Sequence, residues 1–522
     1  MAAKTGIRQW YYRGSLQACN YDCSYCPFSK RPKISGYKLE QDEQALVRFV
    51  NYMIRYESST HCAVQIVPYG EALIHTYYWR EMARLSKKEY IDAVGAQTNM
   101  SFPVDKMVAI YQKEGGRIDK LRLWGTFHPQ QTSVEDFCAQ CDKIEQKGIL
   151  FCVGAVGVPE EIEQLKKLRA CLPKNVYMWI NKMDGLKKPY SNAQRQAFAE
   201  IDDYFFEELR QHKADAKKCA DSCFVEADGT KSSCVICKQG NAKRQERSNL
   251  YQSQTEHLTE FRACVRKNCS CYLAYCNQKD PNSVFFQPYP AFRIPTYPKA
   301  VFFDIDGTLV HTGRGITEDT AQKLRRLAKH SDIYLATSLP YKDALRSVKP
   351  VADQIAGGVF AAGGLLRYKE HDSLLPLPNK VVNQIKIAAV QNGFQVRCYQ
   401  RGEEIYKLTL IKPSITKKES IFATEFDRIG RIIGILDDSG RVISPEIATM
   451  VEGNYLQIVS SKAGKVNGIL HICAALGYRK EEIAVFGNSE SDIPMLQEFP
   501  FSVAINPSKE AVKKAATYQY FV

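Results

Sequence analysis

The sequence predicts an α/β fold in two parts: a parallel βα barrel or open sheet, then a second, separate α/β unit. Three observations point to it. Short apolar runs alternate with charged helical stretches through the first 185 or so residues, the rhythm of strands joined by crossover helices. Pro281, Pro288, Pro290, Pro295 and Pro298 then crowd one segment too densely for a helix or a central strand. Of the 18 cysteines, only Cys398 and Cys473 lie beyond Cys276, so one part is built around thiols and the other is not.

Taken in order, Arg8–Tyr12 reads as a strand. Leu46, Phe49, Val50, Met53 and Ile54 fall on one face of an amphipathic helix. Ala63–Val67 is a buried strand stopped by Pro68, and further strand-like runs stand at Ala93–Gly95, Leu121–Trp124, Leu150–Val156 and Val176–Ile180. Past the prolines, Ala300–Phe303 is a strand ending in an acidic turn. Thr317 caps a helix with Ala321, Leu324, Leu327 and Ala328 inward, and Ile333–Ala336 is the next strand. The expected boundaries are 1–190, 191–276 for a cysteine-rich extension, 277–298 for the linker and 299–522.

At 522 residues with 45% hydrophobic and 25% charged, the chain can bury a sizeable core and is not a disordered tail. Lys+Arg exceed Asp+Glu by 71 − 57 = +14, which favours acidic partners such as phosphorylated metabolites. Nucleic acid is the less favoured partner. Lys243, Arg244 and Arg247 form the best basic cluster, and a solvated helix face explains them equally. No apolar run is long enough to span a bilayer and the N-terminus has no signal-peptide core, so a cytoplasmic protein with no membrane partner is expected. Such a chain has little use for a disulfide framework, and its clustered thiols point to metal or redox chemistry.

Cys19, Cys23 and Cys26 form a Cys-x3-Cys-x2-Cys loop. Three thiolates so close can serve one polynuclear iron cluster, leaving one iron open for chemistry. A zinc site lacking a fourth ligand, or three unrelated core cysteines, are the alternatives. At these residues the sequence resembles the radical S-adenosylmethionine superfamily, over about residues 8 to 185. The resemblance implies a partial (β/α) barrel and a 4Fe–4S cluster that binds S-adenosyl-L-methionine. It also implies an electron donor such as flavodoxin or ferredoxin. By the same resemblance Tyr25 would lie by the adenine, Gly70 and Glu71 of PYGEAL would receive the methionine amine, and Thr98 and Asn99 would lie near ribose and carboxylate. An ordinary helix N-terminal carboxylate is the alternative for Glu71.

Cys219, Cys223, Cys234, Cys237, Cys264, Cys269, Cys271 and Cys276 follow within a short span. A hairpin turning at Asp228-Gly229 would bring Cys219 and Cys234 to one end, ready to clasp a metal. This resembles the auxiliary-cluster (SPASM- or twitch-like) extension of that superfamily. It implies one auxiliary 4Fe–4S cluster, with a second left open and with Cys219, Cys234, Cys264, Cys269, Cys271 and Cys276 as candidate ligands. A structural zinc ribbon is the alternative.

FFDIDGTLV places Asp304 and Asp306 two apart at the end of a buried strand. One carboxylate can attack phosphorus while its neighbour protonates the departing oxygen, and a divalent ion prevents their mutual repulsion from disabling both. Thr337, Lys465, Asn488 and Asp492 complete the inventory of phosphoryl transfer. In order and spacing, residues from about 299 to 522 resemble haloacid dehalogenase superfamily phosphatases. That resemblance implies a doubly wound Rossmann-like domain with an inserted α/β cap at about 365–453, Asp304 as nucleophile and Asp306 as general acid/base. It implies Thr337 and Lys465 on the phosphoryl group, and Mg2+ bound by Asp304, the Asp306 carbonyl and Asp492. Asn488 stands where an Asp is common, keeping an oxygen ligand but dropping one charge.

Together these expectations describe a bifunctional enzyme acting on a small phosphorylated molecule such as a sugar phosphate or nucleotide. The rivals are a peptide- or protein-modifying radical enzyme, a nucleic-acid modifier, and a sensor whose phosphatase half only binds its ligand.

Overall fold

The computed structural model describes residues 8–26, 34–55, 61–210, 212–213, 222–232, 249–252, 268–269, 297–310, 315–411, 444–452 and 455–520. It divides into two compact units between Tyr297 and Pro298.

In the first unit, strands β1 (Arg8–Gly14), β2 (Cys62–Ile66), β3 (Ile91–Thr98), β4 (Leu121–Phe127), β5 (Leu150–Gly157) and β6 (Met178–Lys182) lie side by side in sequence order, all parallel. Helices α1 (Gly36–Arg55), α2 (Thr76–Ser86), α3 (Val104–Lys113), α4 (Val134–Gln146) and α5 (Ile162–Cys171) make the crossovers. The strand order is consecutive and does not reverse about a switch point. Val64 and Ile66, Val94 and Ala96, and Leu121 and Leu123 turn one face of the sheet onto Phe49, Val50 and Met53 of α1 and Met82 of α2. Each such fully buried side chain contributes roughly 1.5–3 kcal/mol.

One buried acid anchors this packing. Asp42 of α1 accepts from Ser15 N (2.9 Å), Ser15 Oγ (2.7 Å), Tyr77 OH (2.8 Å) and Tyr78 OH (2.6 Å), tying α1 to the loop after β1 and to α2. Asp42→Ala leaves two buried tyrosine hydroxyls without their acceptor and frees Ser15, and is expected to cost about 3 kcal/mol, read as a lowered urea midpoint at unchanged slope. A loss under about 0.5 kcal/mol, the ordinary surface value, contradicts this.

After α6 (Asn192–Ile201) and α7 (Phe205–Leu209) come β7 (His212–Lys213), β8 (Ser222–Glu226) and β9 (Lys231–Ser232). β8 pairs parallel with β1 and so extends the first sheet, and β8–β9 is a hairpin. Its turn lies at Asp228–Gly229, where Gly229 has φ +87° and Thr230 N donates to Asp228 Oδ1 at 2.8 Å. Cys223 of β8 is buried in the sheet–helix core. β10 (Asn268–Cys269) pairs antiparallel with β7. Cys219, Cys234, Cys237, Cys264, Cys271 and Cys276, the side chain of Cys269, the basic cluster at Lys243, Arg244 and Arg247, and residues 277–296 lie outside the described residues. A disulfide joins Cys138 of α4 to Cys171 of α5.

In the second unit, β11 (Ala300–Phe303) is central. β12 (Asp332–Ala336) and β13 (Ile355–Phe360) pair parallel on one side, and β20 (Ile483–Gly487), β21 (Phe501–Ile505) and β22 (Tyr518–Tyr520) on the other. The chain reverses direction of growth at β11, so the crevice beyond its C-terminal end is a topological switch point, where ligands bind in open α/β sheets. Thr317 caps α8 (Glu318–Ala328), its side chain accepting from Thr320 N, and α9 (Tyr341–Ser347) follows β12. Two hairpin strands, β14 (Leu365–Tyr368) and β15 (His371–Leu374), pair antiparallel onto the β13 edge.

A separate four-stranded antiparallel sheet, in the order β16 (Gln395–Arg401), β17 (Glu404–Ile411), β19 (Tyr455–Ser460), β18 (Ile447–Glu452), is packed on α10 (Asn379–Gln391) and forms the cap. Its limits differ from the expected 365–453. The β14–β15 hairpin belongs to the main sheet, because its backbone is taken up by β13, while β19 belongs to the cap. Among the described residues, no helix is long and apolar enough to cross a membrane.

Candidate active sites

Each unit gathers polar side chains at the C-terminal ends of its parallel strands. In the first, the loop after β1 carries the three thiols. It is held by PYGEAL: Gly70 N donates to Leu16 O (3.1 Å) and Glu71 N to Ala18 O (2.9 Å). A Cβ on Gly70 would lie 2.0 Å from the Ala18 carbonyl oxygen, so this close approach admits only glycine. The Glu71 carboxylate is buried and accepts from Leu73 N (3.0 Å), Thr98 Oγ1 (2.7 Å) and Asn99 N (2.6 Å). Burial pushes its pKa up to about 7 against these three donors. Asn99 Nδ2 donates to Asn20 Oδ1 at 2.9 Å and approaches Cys19 Sγ at 3.8 Å. Cys19, Gly70, Glu71, Thr98 and Asn99 are thus brought together.

Tyr25 reaches in another direction, its OH 2.8 Å from His128 Nδ1 in the loop after β4. Burial lowers the His128 pKa to about 4 and raises that of Tyr25, so a neutral phenol meets a neutral imidazole across this hydrogen bond. Gln131 Oε1 accepts from Asp22 N (3.2 Å) and Gln130 Oε1 from Ser24 N (3.0 Å), fixing the same loop. His128, Gln130 and Gln131 are not among the candidate residues read from the sequence. The available signal was HPQQ directly after the strand Leu121–Phe127, a position where barrel enzymes place functional side chains.

The thiols perturb one another. Burial raises Cys23 to about 12, with the charges of Cys26 and Cys19 adding to it; burial likewise raises Cys19, with Glu71 and Cys26 adding. A thiol held neutral by burial gives up its proton when it binds a metal, and three thiols on one loop are a donor set that could hold an iron–sulfur cluster. Among the described residues, no three His, Cys, Asp or Glu side chains close on a common metal-binding point.

In the second unit, Asp304 follows β11 and is buried. Lys465, first residue of α11 (Lys465–Leu476), spans two acids: its Nζ donates to Asp304 Oδ1 and to Asp492 Oδ1, both at 2.7 Å. Asp492 Oδ2 accepts from Asn488 N (3.0 Å), Ser489 N (3.0 Å) and Ser489 Oγ (2.9 Å). Both Asp492 oxygens are therefore engaged by the protein, Oδ1 by Lys465 and Oδ2 by the Asn488–Ser489 turn. Burial raises Asp304 to about 6 while Lys465 opposes the rise and Asp492 adds to it. Asp492 moves the other way: burial works against its charge, but Lys465 and the two backbone N–H groups prevail. The opposite directions fit the geometry, since Asp492 has three donors beyond the ammonium. Lys465 itself is held charged, its two acids outweighing its burial.

With its amide nitrogen turned inward, Asn488 donates to the Asp306 carbonyl (2.9 Å), Asp304 Oδ2 (3.3 Å) and Thr308 Oγ1 (3.3 Å). Gly307, at φ +82°, permits this close packing: a Cβ there would lie 1.9 Å from the outward-turned atom of the Asn488 amide. The Asp306 side chain is exposed while its carbonyl joins this oxygen group. Turning the Asn488 amide over adds its own oxygen, and the resulting set of carboxylate, carbonyl and amide oxygens suits a small hard cation. Thr337, beyond the end of β12, is buried with Oγ1 accepting from Leu339 N at 3.1 Å.

The haloacid dehalogenase-like hydrolase family model matches residues 301–431 and 403–520. A phosphoglycolate phosphatase of Methanosarcina acetivorans is 25% identical over 224 residues, which is 42% of this chain and 88% of the relative. Another from Archaeoglobus fulgidus is 22% identical over 222 residues, again 42% of this chain and 88% of the relative. A haloacid dehalogenase-like hydrolase structure from Bacteroides thetaiotaomicron aligns with 17% identity and TM-score 0.35, over 43% of this chain and 94% of its own. The C-terminal part of this chain is a haloacid dehalogenase-superfamily hydrolase domain.

Proposed function

We propose that the chain is a bifunctional enzyme: a magnesium-dependent phosphatase acting on a small phosphate monoester, joined to a radical S-adenosylmethionine enzyme acting on the same molecule. The observation that carries the phosphatase reading is Lys465 spanning Asp304 and Asp492 at the switch point of the sheet. Asp304 attacks phosphorus, its Oδ–P bond forming as the ester P–O bond breaks, and Asp306 protonates the departing oxygen. Water, deprotonated by Asp306, then cleaves the aspartyl-phosphate and releases phosphate. Lys465 and Thr337 hold the phosphoryl oxygens, and Asp492 keeps Lys465 aimed at them. Asp304, the Asp306 carbonyl and Asn488 are the residues that would hold Mg2+, which supplies charge neutralisation between carboxylate and phosphate.

In the first unit, Cys19, Cys23 and Cys26 would hold a 4Fe–4S cluster. When bound there, the cluster would supply the electron for reductive cleavage of S-adenosylmethionine. Gly70 and Glu71 orient the thiol loop through Leu16 and Ala18, and Asn99 supports Cys19. The later cysteines are proposed to hold an auxiliary 4Fe–4S cluster.

The test is anaerobic reconstitution of the full chain, then a phosphorylated-metabolite screen for free phosphate and 5′-deoxyadenosine together. Failure to release phosphate from every compound removes the phosphatase reading. The metal arm has its own check. Asn488→Asp adds one negative charge to the proposed magnesium set and is expected to lower half-saturating Mg2+ by roughly tenfold. An unchanged magnesium requirement places the ion elsewhere.

A further inference from the structure

The cap sheet has two chemically different faces. Leu408, Leu410, Leu456 and Ile458 turn toward the cap's apolar core with Val382, Ile385 and Ala389 of α10. Their strand neighbours Lys407, Thr409 and Gln457 alternate to the opposite face, where Lys407 pairs with Tyr399 and Thr409 pairs with Gln457. A sheet face turned away from its own core is ordinarily wet, yet Lys407, Thr409 and Gln457 are 3%, 6% and 3% exposed. The catalytic side of the same unit contributes to this cover. Lys407 Nζ donates to the Ser338 carbonyl at 2.6 Å, and Ser338 directly follows Thr337. The ammonium also lies 5.5 Å from the centre of the Tyr399 ring.

Burying an ammonium is costly, and lysine is among the residues least often enclosed. Here one is carried on the cap and set beside the loop that bears Thr337. A phosphate monoester bound with its phosphorus at Asp304 directs its leaving group away from the sheet, toward the cap. We propose that Lys407 determines substrate choice by binding a second anionic group on the leaving-group side of the substrate. Tyr399 shapes that subsite, and Thr409 and Gln457 line it. The substrate class is then an acidic phosphomonoester, a phosphorylated carboxylic acid or a bisphosphate, rather than an uncharged alkyl or aryl phosphate. The inference rests on the phosphatase reading for the pose of the substrate but not for its test, which reads binding.

The test uses the full chain carrying Asp304→Asn, so that ligands bind without turnover, and measures dissociation constants by calorimetry. The probes are phosphoglycolate, the bisphosphate of ethylene glycol, and ethyl phosphate, which has the two carbons of phosphoglycolate but lacks its carboxylate. At least one of the two probes that carry a second anionic group is expected to bind about tenfold or more tightly than ethyl phosphate, the worth of one charge-assisted hydrogen bond. Whichever binds tighter identifies carboxylate or phosphate as the second group. Adding Lys407→Met should erase that preference while leaving ethyl phosphate within about threefold, and Lys407→Arg should restore part of it. No preference in the parent protein overturns the proposal, as does a Lys407→Met loss equal for all three probes, which marks a role in cap closure alone. A preference seen without any phosphate release from the Asp304 protein would remove the phosphatase reading and leave this subsite standing.

Discussion

Asp304→Asn is expected to abolish magnesium-dependent phosphate release by the full chain, by about 10⁵-fold or more, because an amide nitrogen or oxygen cannot replace a carboxylate as nucleophile. The fold should survive it. Lys465 keeps its 2.7 Å contact with Asp492, so its buried ammonium retains a carboxylate partner. Stopped assays of phosphate release, with a thermal melt of the same preparation, check both halves of this expectation. Turnover persisting at more than about a hundredth of the parent rate would mean that another group attacks phosphorus, since general acid/base help alone is worth about 10²–10⁴.

Replacing Cys19, Cys23 and Cys26 together by alanine should eliminate 5′-deoxyadenosine formation under dithionite and lower bound iron by about four atoms per chain, the content of one 4Fe–4S cube. Phosphate release should be unchanged, because these cysteines belong to the unit before Pro298 and Asp304 to the unit after it. Deoxyadenosine at the parent rate would remove the radical reading. Iron that falls to zero instead would mean that the later cysteines hold none.

What the sequence made legible was whatever is local. Ala300–Phe303 coincides with β11 and Ile333–Ala336 lies within β12, because strands covered on both faces read as continuous apolar runs. Thr317 is the N-cap of α8 because its side chain finds Thr320 N three residues on. The Asp304–Asp306 pair stands out for the same reason, two acids in one short motif. Contacts across the fold left no such trace. Lys465 meets Asp304 from 161 positions away, so that acid–lysine–acid bridge could be named by residues but not by geometry. Tyr25 and His128 are 103 apart and share no spacing rule. Asp42 looks like one more charge on a solvated helix, and only the two tyrosines and the serine that it accepts from reveal it as buried. Lys407 sits in an alternating strand where a lysine ordinarily marks the wet face. The cap limits slipped because LLRY at Leu365–Tyr368 is equally suited to a cap strand and to the edge of the main sheet.

Rapid quenching of the full chain with Mg2+ and a turned-over phosphomonoester, followed by borohydride reduction and peptide mass spectrometry, tests the central claim most directly. Asp304 as nucleophile predicts that the peptide containing FFDIDGT carries homoserine at position 304, formed by reduction of its acyl phosphate within the first turnover. Phosphate released at the same rate with Asp304 unmodified would contradict it.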